Sequence, residues 1–217
     1  LIDPDPLTYN ISLDQVSKAY NKKTKAILTV DLYGHPSDLI NLKKFAKKKK
    51  ILLLEDAAQA HGAKVGKKNI GSISDATFFS FFPGKILGAF GDAGAVTTSN
   101  LKLKNILVSL RNYGEEFYFK SADRKYRNEY IGFNSRLDEL QAIALNLKLK
   151  FFNQEHKKRS YIANYYLKNI KNRKVVLPFI KKNTLHAWHL FIIRCKQRNQ
   201  LKKYLLKNRI KTMIHYP

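Results

Sequence analysis

Lys85 stands in SFFPGKILGAFGDAGAV (80–96), among aromatics, glycines and small residues, whereas most of the other lysines crowd into polar runs such as KKFAKKKK (43–50). An amine held in apolar surroundings is disfavoured as the ammonium and becomes a nucleophile able to form a Schiff base. Phe81, Phe82 and Phe90 are the neighbours expected to provide those surroundings. Asp56 closes the apolar run ILLLED (51–56), with Gln59 three residues on. A carboxylate behind such a run needs a cation or several donors, because an isolated buried charge is costly. Ser80 lies in the next apolar run, ATFFSFF (76–82). Each residue alone has a plainer explanation: Asp56 as a helix cap or salt-bridge partner, Ser80 as an ordinary strand residue, Lys85 as a solvated loop lysine.

The elements that must position them alternate in type. KAILTVDL (25–32) reads as a strand. SDLINLKKFAKKKK (37–50), with Leu39, Leu42 and Phe45–Ala46 at three-to-four spacing, reads as an amphipathic helix capped by Ser37. ILLLED reads as a parallel strand buried on both faces. ATFFSFF and GAVTTS (94–99) supply two more strands. Strand–helix–strand at this spacing implies an α/β sheet with helices on its faces, whose carboxyl edge binds ligands. Asp56, Ser80 and Lys85 all fall at that edge.

The second half reads as α+β. SRLDELQAIALNLKLKFF (135–152) opens with a Ser-x-x-Asp capping pattern and carries Leu137, Leu140, Ala144, Leu147 and Phe151 on one face. A separate helix is expected over 154–169, a strand over 185–195, a helix over 198–208 and a last strand over 210–217. The irregular stretch 111–134 is long enough to be functional or an interface element.

Composition sets outer limits. Lys+Arg 41 against Asp+Glu 16 gives a net charge of +25, which attracts anions. The lysines are spread along the chain without a nucleic-acid module, so a phosphate-bearing cofactor or nucleotide sugar suits the charge as well as nucleic acid does. No run approaches a membrane span. Cys195 is the single cysteine, so no internal disulfide can form, which fits a cytoplasmic setting. No signal peptide is visible at the start.

A carboxylate, a hydroxyl and an amine at one sheet edge suit pyridoxal phosphate: the aspartate keeps the pyridine nitrogen protonated, the serine takes the phosphate and the lysine takes the aldehyde. EDAAQAHGA (55–63), SDATFFSFFPGKILGAFGDAGAVTTSN (74–100) and GFNSRLDELQAIAL (132–145) occur in that order. Together they resemble the DegT/DnrJ/EryC1/StrS sugar aminotransferases, pyridoxal-phosphate enzymes of the aspartate-aminotransferase fold. The resemblance extends from DPLTYNIS through LYGHPSDL to IHYP.

It implies an α/β fold: part of a large cofactor-binding domain with a mainly parallel sheet and flanking helices (1–112), then an interface loop, linking helices and part of a small α+β domain (113–217). It implies that Lys85 forms the internal aldimine and shuttles the substrate proton. Asp56 would pair with the pyridinium, Gln59 would contact the ring near its phenolic oxygen, and Ser80 would bind the phosphate. Asn134 would be lent to the neighbouring subunit's phosphate site, making a homodimer the working unit, and Arg136 would take a structural or interface role. His61 and His215 would pack or lie near the substrate. Glutamate and a nucleotide-linked keto-deoxysugar, of the dTDP-3-keto-6-deoxy type or a 4-keto sugar, would be the partners, with neither nucleic acid nor membrane involved. Members are longer at both ends, carrying a Gly-Thr phosphate turn and a ring-stacking aromatic before the stretch matched here. They commonly have asparagine at the place of Ile86 and glycine at that of Ala93. A non-catalytic remnant serving as a binding or dimerising module is the alternative, and a basic nucleic-acid-binding protein is the last.

Overall fold

A computed structural model describes residues 1–116 and 127–216. In chain order its elements are α1 (Leu13–Ala19), β1 (Ala26–Val30), a 3-10 turn (Leu32–Gly34), α2 (Leu39–Lys49), β2 (Leu52–Asp56), β3 (Lys64–Val65), β4 (Lys68–Asn69), β5 (Ala76–Ser80), β6 (Gly94–Thr97), α3 (Leu101–Leu110), α4 (Glu139–Asn169), β7 (Thr184–Leu185) and α5 (Arg198–Lys207). The main sheet runs β1-β2-β5-β6, and a small one runs β4-β3-β7. β1, β2 and β5 are parallel, and β6 returns antiparallel to β5. The architecture is α/β with a mainly parallel sheet, as expected.

Register decides what each face carries. Thr29, Glu55 and Thr77 align across β1, β2 and β5, and Val30, Asp56 and Phe78 align one step further along. Successive side chains on a strand point to opposite faces, so the first row faces one side and the second row the other. The first row is buried beneath α2, whose Leu39, Leu42 and Ala46 join Ile27, Leu53 and Val16 of α1 in the main core. On the second row's face Leu28, Leu52 and Phe78 are exposed. β2 is therefore buried on one face, not two, and its burial alternates along the strand.

Several helix boundaries differ from the sequence reading. Asp38, not Ser37, precedes α2. The Ser37 hydroxyl is taken by Thr29 Oγ1 at 2.7 Å and by the Val30 carbonyl, so it has no freedom to cap. Asp138, not Ser135, caps α4 through Leu140 N–H, while Ser135 N–H goes to the Arg111 carbonyl. The two helices expected over 135–152 and 154–169 are one helix of 31 residues. The strand expected over 185–195 is limited to Thr184–Leu185, which pairs with β3. No strand forms over 210–216, and Pro217 lies outside the described residues. So does 117–126, the middle of the long polar stretch.

The buried face of α4 is also displaced from the one expected. Of the expected face Ala144 is buried, but Leu137, Leu140, Leu147 and Phe151 are exposed, whereas Leu145 packs with Leu87 and Ala89, with Phe152 beside them. Gln141 Oε1 accepts from Phe90 N–H at 2.7 Å, and Lys148 Nζ donates to the Gly88 carbonyl. Residues 141, 145, 148 and 152 share one helical face, and that face supports the loop bearing Lys85. Leu145→Ala is expected to cost about 2–5 kcal/mol in urea unfolding, and Leu147→Ala no more than about 0.5 kcal/mol. The reverse order would restore the register inferred from spacing.

Candidate functional site

Asp56 ends β2 and Ser80 ends β5. Asp56 aligns with Phe78, and Ser80 lies two residues beyond Phe78, so by strand alternation the carboxylate and the hydroxyl leave the sheet on the same face at its carboxyl edge. Asp56 Oδ1 accepts from Ala58 N–H at 3.0 Å, which turns the carboxylate over the start of the following loop and leaves Oδ2 for another donor. Ser80 Oγ accepts from Phe82 N–H at 3.3 Å, and its own proton remains to be given.

Lys85 sits on the loop that follows. Phe82, Pro83, Gly84 and Lys85 form a turn closed by Lys85 N–H to the Phe82 carbonyl at 2.8 Å, a Pro-Gly turn of the usual chemistry. At the neck of the loop the Phe81 carbonyl accepts from Ala89 N–H while Phe81 N–H donates to the Ala93 carbonyl, each at 2.7 Å. Gly88 is needed inside it, because a Cβ there would stand 2.5 Å from the Pro83 carbonyl oxygen. Among the described residues no carboxylate and no hydrogen-bond acceptor pairs with the Lys85 amine. The aromatic enclosure is weaker than expected. Phe81 packs with Leu87 and Ala89, but Phe82 is 54% and Phe90 78% exposed, and Lys85 itself is only half-buried.

Gln59 is held at both ends of its amide. Oε1 accepts from Tyr33 N–H at 2.6 Å, and Nε2 donates to the Tyr216 hydroxyl at 3.1 Å. Tyr33 has φ 60 and the next residue, Gly34, φ 95. A Cβ on Gly34 would lie 2.8 Å from the Gln59 carbonyl, so the turn after β1 reaches Gln59 only because position 34 is glycine. Tyr33 and Tyr216 escaped the sequence reading; YG directly after a strand was the available signal.

Histidines border the site. His61 is buried between Phe79 and Phe81, with neither ring nitrogen hydrogen-bonded. Burial holds it down to about 4, with the charges of His189 and Lys85 adding to the effect. His189 is likewise held at about 4 by burial, then by Lys85. His186, stacked on Trp188 at 3.9 Å, is lowered to about 3 by burial. His215 lends its carbonyl to the Tyr33 hydroxyl at 2.9 Å.

Asn134 stands elsewhere. It is exposed and bridges Asn112 through the backbone, beside Arg136, whose Nη1 donates to Asn112 Oδ1 and whose guanidinium lies 5.5 Å from the centre of the Tyr113 ring. None of the described hydrogen bonds joins it to Asp56, Ser80 or Lys85.

The carboxyl edge of such an α/β sheet, here carrying Asp56 and Ser80 on one face with Lys85 on the loop that follows, is where α/β folds take small ligands. The chain belongs to the DegT/DnrJ/EryC1/StrS aminotransferase family, which matches it over residues 1–217. It is 45% identical over 217 residues to the dTDP-3-amino-3,6-dideoxy-alpha-D-galactopyranose transaminase of Aneurinibacillus thermoaerophilus, covering 100% of this chain and 58% of that protein. Streptomyces venezuelae DesV, solved in complex with a ketimine intermediate, superposes with a TM-score of 0.93 at 39% identity, covering 100% of this chain and 57% of DesV. NtdA of Bacillus subtilis, solved with bound cofactor PMP, superposes at 0.86 with 30% identity, over 100% of this chain and 49% of NtdA. The chain thus spans somewhat over half the length of the curated relatives it matches.

The buried histidines make stability fall in acid. A histidine whose folded state resists protonation contributes stability that is complete above 6.5 and is lost as pH drops toward its folded value near 4. His61→Met removes two unsatisfied nitrogens, so the variant should equal or exceed the parent at pH 7 and lose stability less steeply between pH 6.5 and 4. Urea midpoints across that range check this; an unchanged slope would remove His61 from the account.

Proposed function

We propose that this chain carries the cofactor site of a pyridoxal-phosphate-dependent aminotransferase that moves an amino group from glutamate to a nucleotide-linked keto-deoxysugar. The observation that carries the reading is the placement of Asp56 and Ser80 on one face of adjacent strand ends, with the unpaired Lys85 amine on the loop that leaves the second of them. The residues suit the group: Asp56 offers a free carboxylate oxygen, Ser80 a hydroxyl proton and Lys85 an amine, one for each polar end of the cofactor.

When bound, the cofactor supplies an electron sink for the carbanion left by removal of a proton beside the substrate nitrogen. The chain supplies the rest. Asp56, anchored by Ala58 N–H, would keep a positive charge on the pyridine nitrogen. Ser80 Oγ would donate to the phosphate. Lys85 Nζ would hold the aldehyde end of the cofactor and would take and return the proton at the substrate carbon. Gln59, fixed by Tyr33 and Tyr216, would wall the ring. Residues 1–112 are assigned to the cofactor-binding domain and 113–217 to the interface loop, linking helices and small domain. Asn134, exposed and without a hydrogen bond to Asp56, Ser80 or Lys85, would serve a second subunit of a homodimer. The net charge of +25 favours a pyrophosphate-bearing sugar, and dTDP is the carrier named in the transaminase relative from Aneurinibacillus thermoaerophilus.

The second reading, a non-catalytic binding module, draws on the exposure of Phe82 and Phe90 beside Lys85. One experiment separates the two. The chain is mixed with pyridoxal phosphate, followed by visible absorption, reduced with borohydride and digested. Label is expected on Lys85, abolished in Lys85→Ala, with binding about tenfold or more weaker in Asp56→Ala, as for loss of a charge-assisted hydrogen bond. Label scattered over surface lysines, or no band, supports the module.

A further inference from the structure

Asp31 and Glu55 are both fully buried, at 0% exposure. Asp31 follows the last residue of β1, and Glu55 precedes Asp56 on β2. Glu55 Oε2 accepts from Thr77 Oγ1 at 2.7 Å, and Asp31 Oδ1 accepts from Ser37 N–H at 2.8 Å. The hydrogen bonds made to these two carboxyls among the described residues come from a hydroxyl and a backbone amide, none from a cation. One oxygen of each acid is left, Asp31 Oδ2 and Glu55 Oε1, buried and without a donor. Asp31 stands two residues beyond Thr29, the cross-strand partner of Glu55, so the two acids are diagonal neighbours on the inner side of β1 and β2. Two carboxylate oxygens are both acceptors, so they can satisfy each other only through a proton.

We propose that Asp31 and Glu55 share one proton, and that the neutral Asp31 is thereby a positioning residue for the site at the sheet edge. Asp31 ties the strand ends to the turn after β1. Its N–H donates to the Asp56 carbonyl at 2.9 Å, its carbonyl accepts from Gly34 N–H at 3.2 Å, and its side chain holds Ser37 N–H. Tyr33, whose N–H holds Gln59, lies inside that clamp. Deprotonating the pair would set two anions against each other where no cation answers them, and the turn carrying Tyr33 would have to open.

The surroundings agree. Thr29 and Ser37 on the β1 side and Thr77 on β5 are neutral, and α2 contributes Leu39 and Leu42. Asp56 follows Glu55 and points to the opposite face. His35 accepts from Lys181 N–H, and burial lowers it to about 4, so it brings no charge at neutral pH. Burial first, then the Glu55 carboxylate, pushes Asp31 well above the usual carboxylate range.

The sign of the pH effect follows. A carboxyl raised in the folded state contributes its full stability below 3.8, its unfolded value, and loses it as pH rises toward the folded value. At pH 7 the parent therefore carries a penalty for retaining the proton. Asp31→Asn keeps an acceptor for Ser37 N–H and gives Glu55 a permanent donor, so it should melt about 3 °C or more above the parent at pH 7, with the gap closing as pH falls toward 4. Glu55→Gln should behave alike. Infrared spectra of the parent at pH 7 should show a protonated-carboxyl band that both variants lack. Hydrogen exchange over residues 31–37 should quicken in Asp31→Ala and return to the parent rate in Asp31→Asn.

Absence of the band from the parent overturns the shared proton, as does an Asp31→Asn variant that is less stable than the parent by the same margin at every pH. Asp31→Asn exchanging as fast as Asp31→Ala overturns the positioning role. The cofactor reading enters only in naming Asp56 and Gln59 as site residues. No readout uses cofactor, so failure here and failure of that reading are told apart.

Discussion

Parallel pairing of β1, β2 and β5 in a single register sends Glu55 and Asp56, neighbours in sequence, to opposite sides of the sheet. The inner side accepts Glu55 only because Thr77 and the Asp31 carboxyl meet it there. The outer side presents Asp56 together with Ser80. A slip of one residue would reverse every side chain, placing Asp56 under α2 and Glu55 at the edge. The functional assignment of Asp56 therefore depends on the polar row beneath it as much as on Asp56 itself.

That row is an expensive interior. An isolated buried ion is costly, and a buried pair without excellent geometry seldom stabilises a fold over an apolar alternative. Two acids stand where leucines would pack, and one of them holds the turn after β1 in place. The turn from Asp31 to Ser37 closes on the Asp31 side chain and on Gly34 and delivers Tyr33 N–H to Gln59. α4 does the matching work on the other side, bracing the Lys85 loop through Gln141, Leu145 and Lys148. Two supports remote in sequence thus converge on the stretch from 56 to 85 that bears the proposed site residues.

Much of this was legible in the sequence, for physical reasons. Short apolar runs ending in Asp56 and Ser80 mark strands whose last residues reach the carboxyl edge, and the alternation with helix-like periods gives the α/β class. The family motifs located Lys85, although the enclosure drawn from its phenylalanines was too tight, since composition near a residue does not say which way each ring points. Helix starts failed where tertiary bonds claimed the expected cap: the Ser37 hydroxyl is bonded to Thr29, and the Ser135 backbone is held by Arg111. The face of α4 failed because long helices of mixed polarity offer more than one apolar stripe, and only contact with the Lys85 loop selects Leu145 over Leu147. The Asp31–Glu55 pair was invisible for a different reason. Each acid lies in an apolar run, but only strand register shows that they meet.

The proposed function requires Asp56, Ser80 and Lys85 to form one cofactor site on this chain. A crystal structure of the protein grown with pyridoxal phosphate decides it. Density should run on from Lys85 Nζ, with the ring nitrogen on the Asp56 carboxylate and the phosphate at Ser80. Cofactor bound at a lysine outside this edge, with Asp56 and Ser80 untouched, would contradict it.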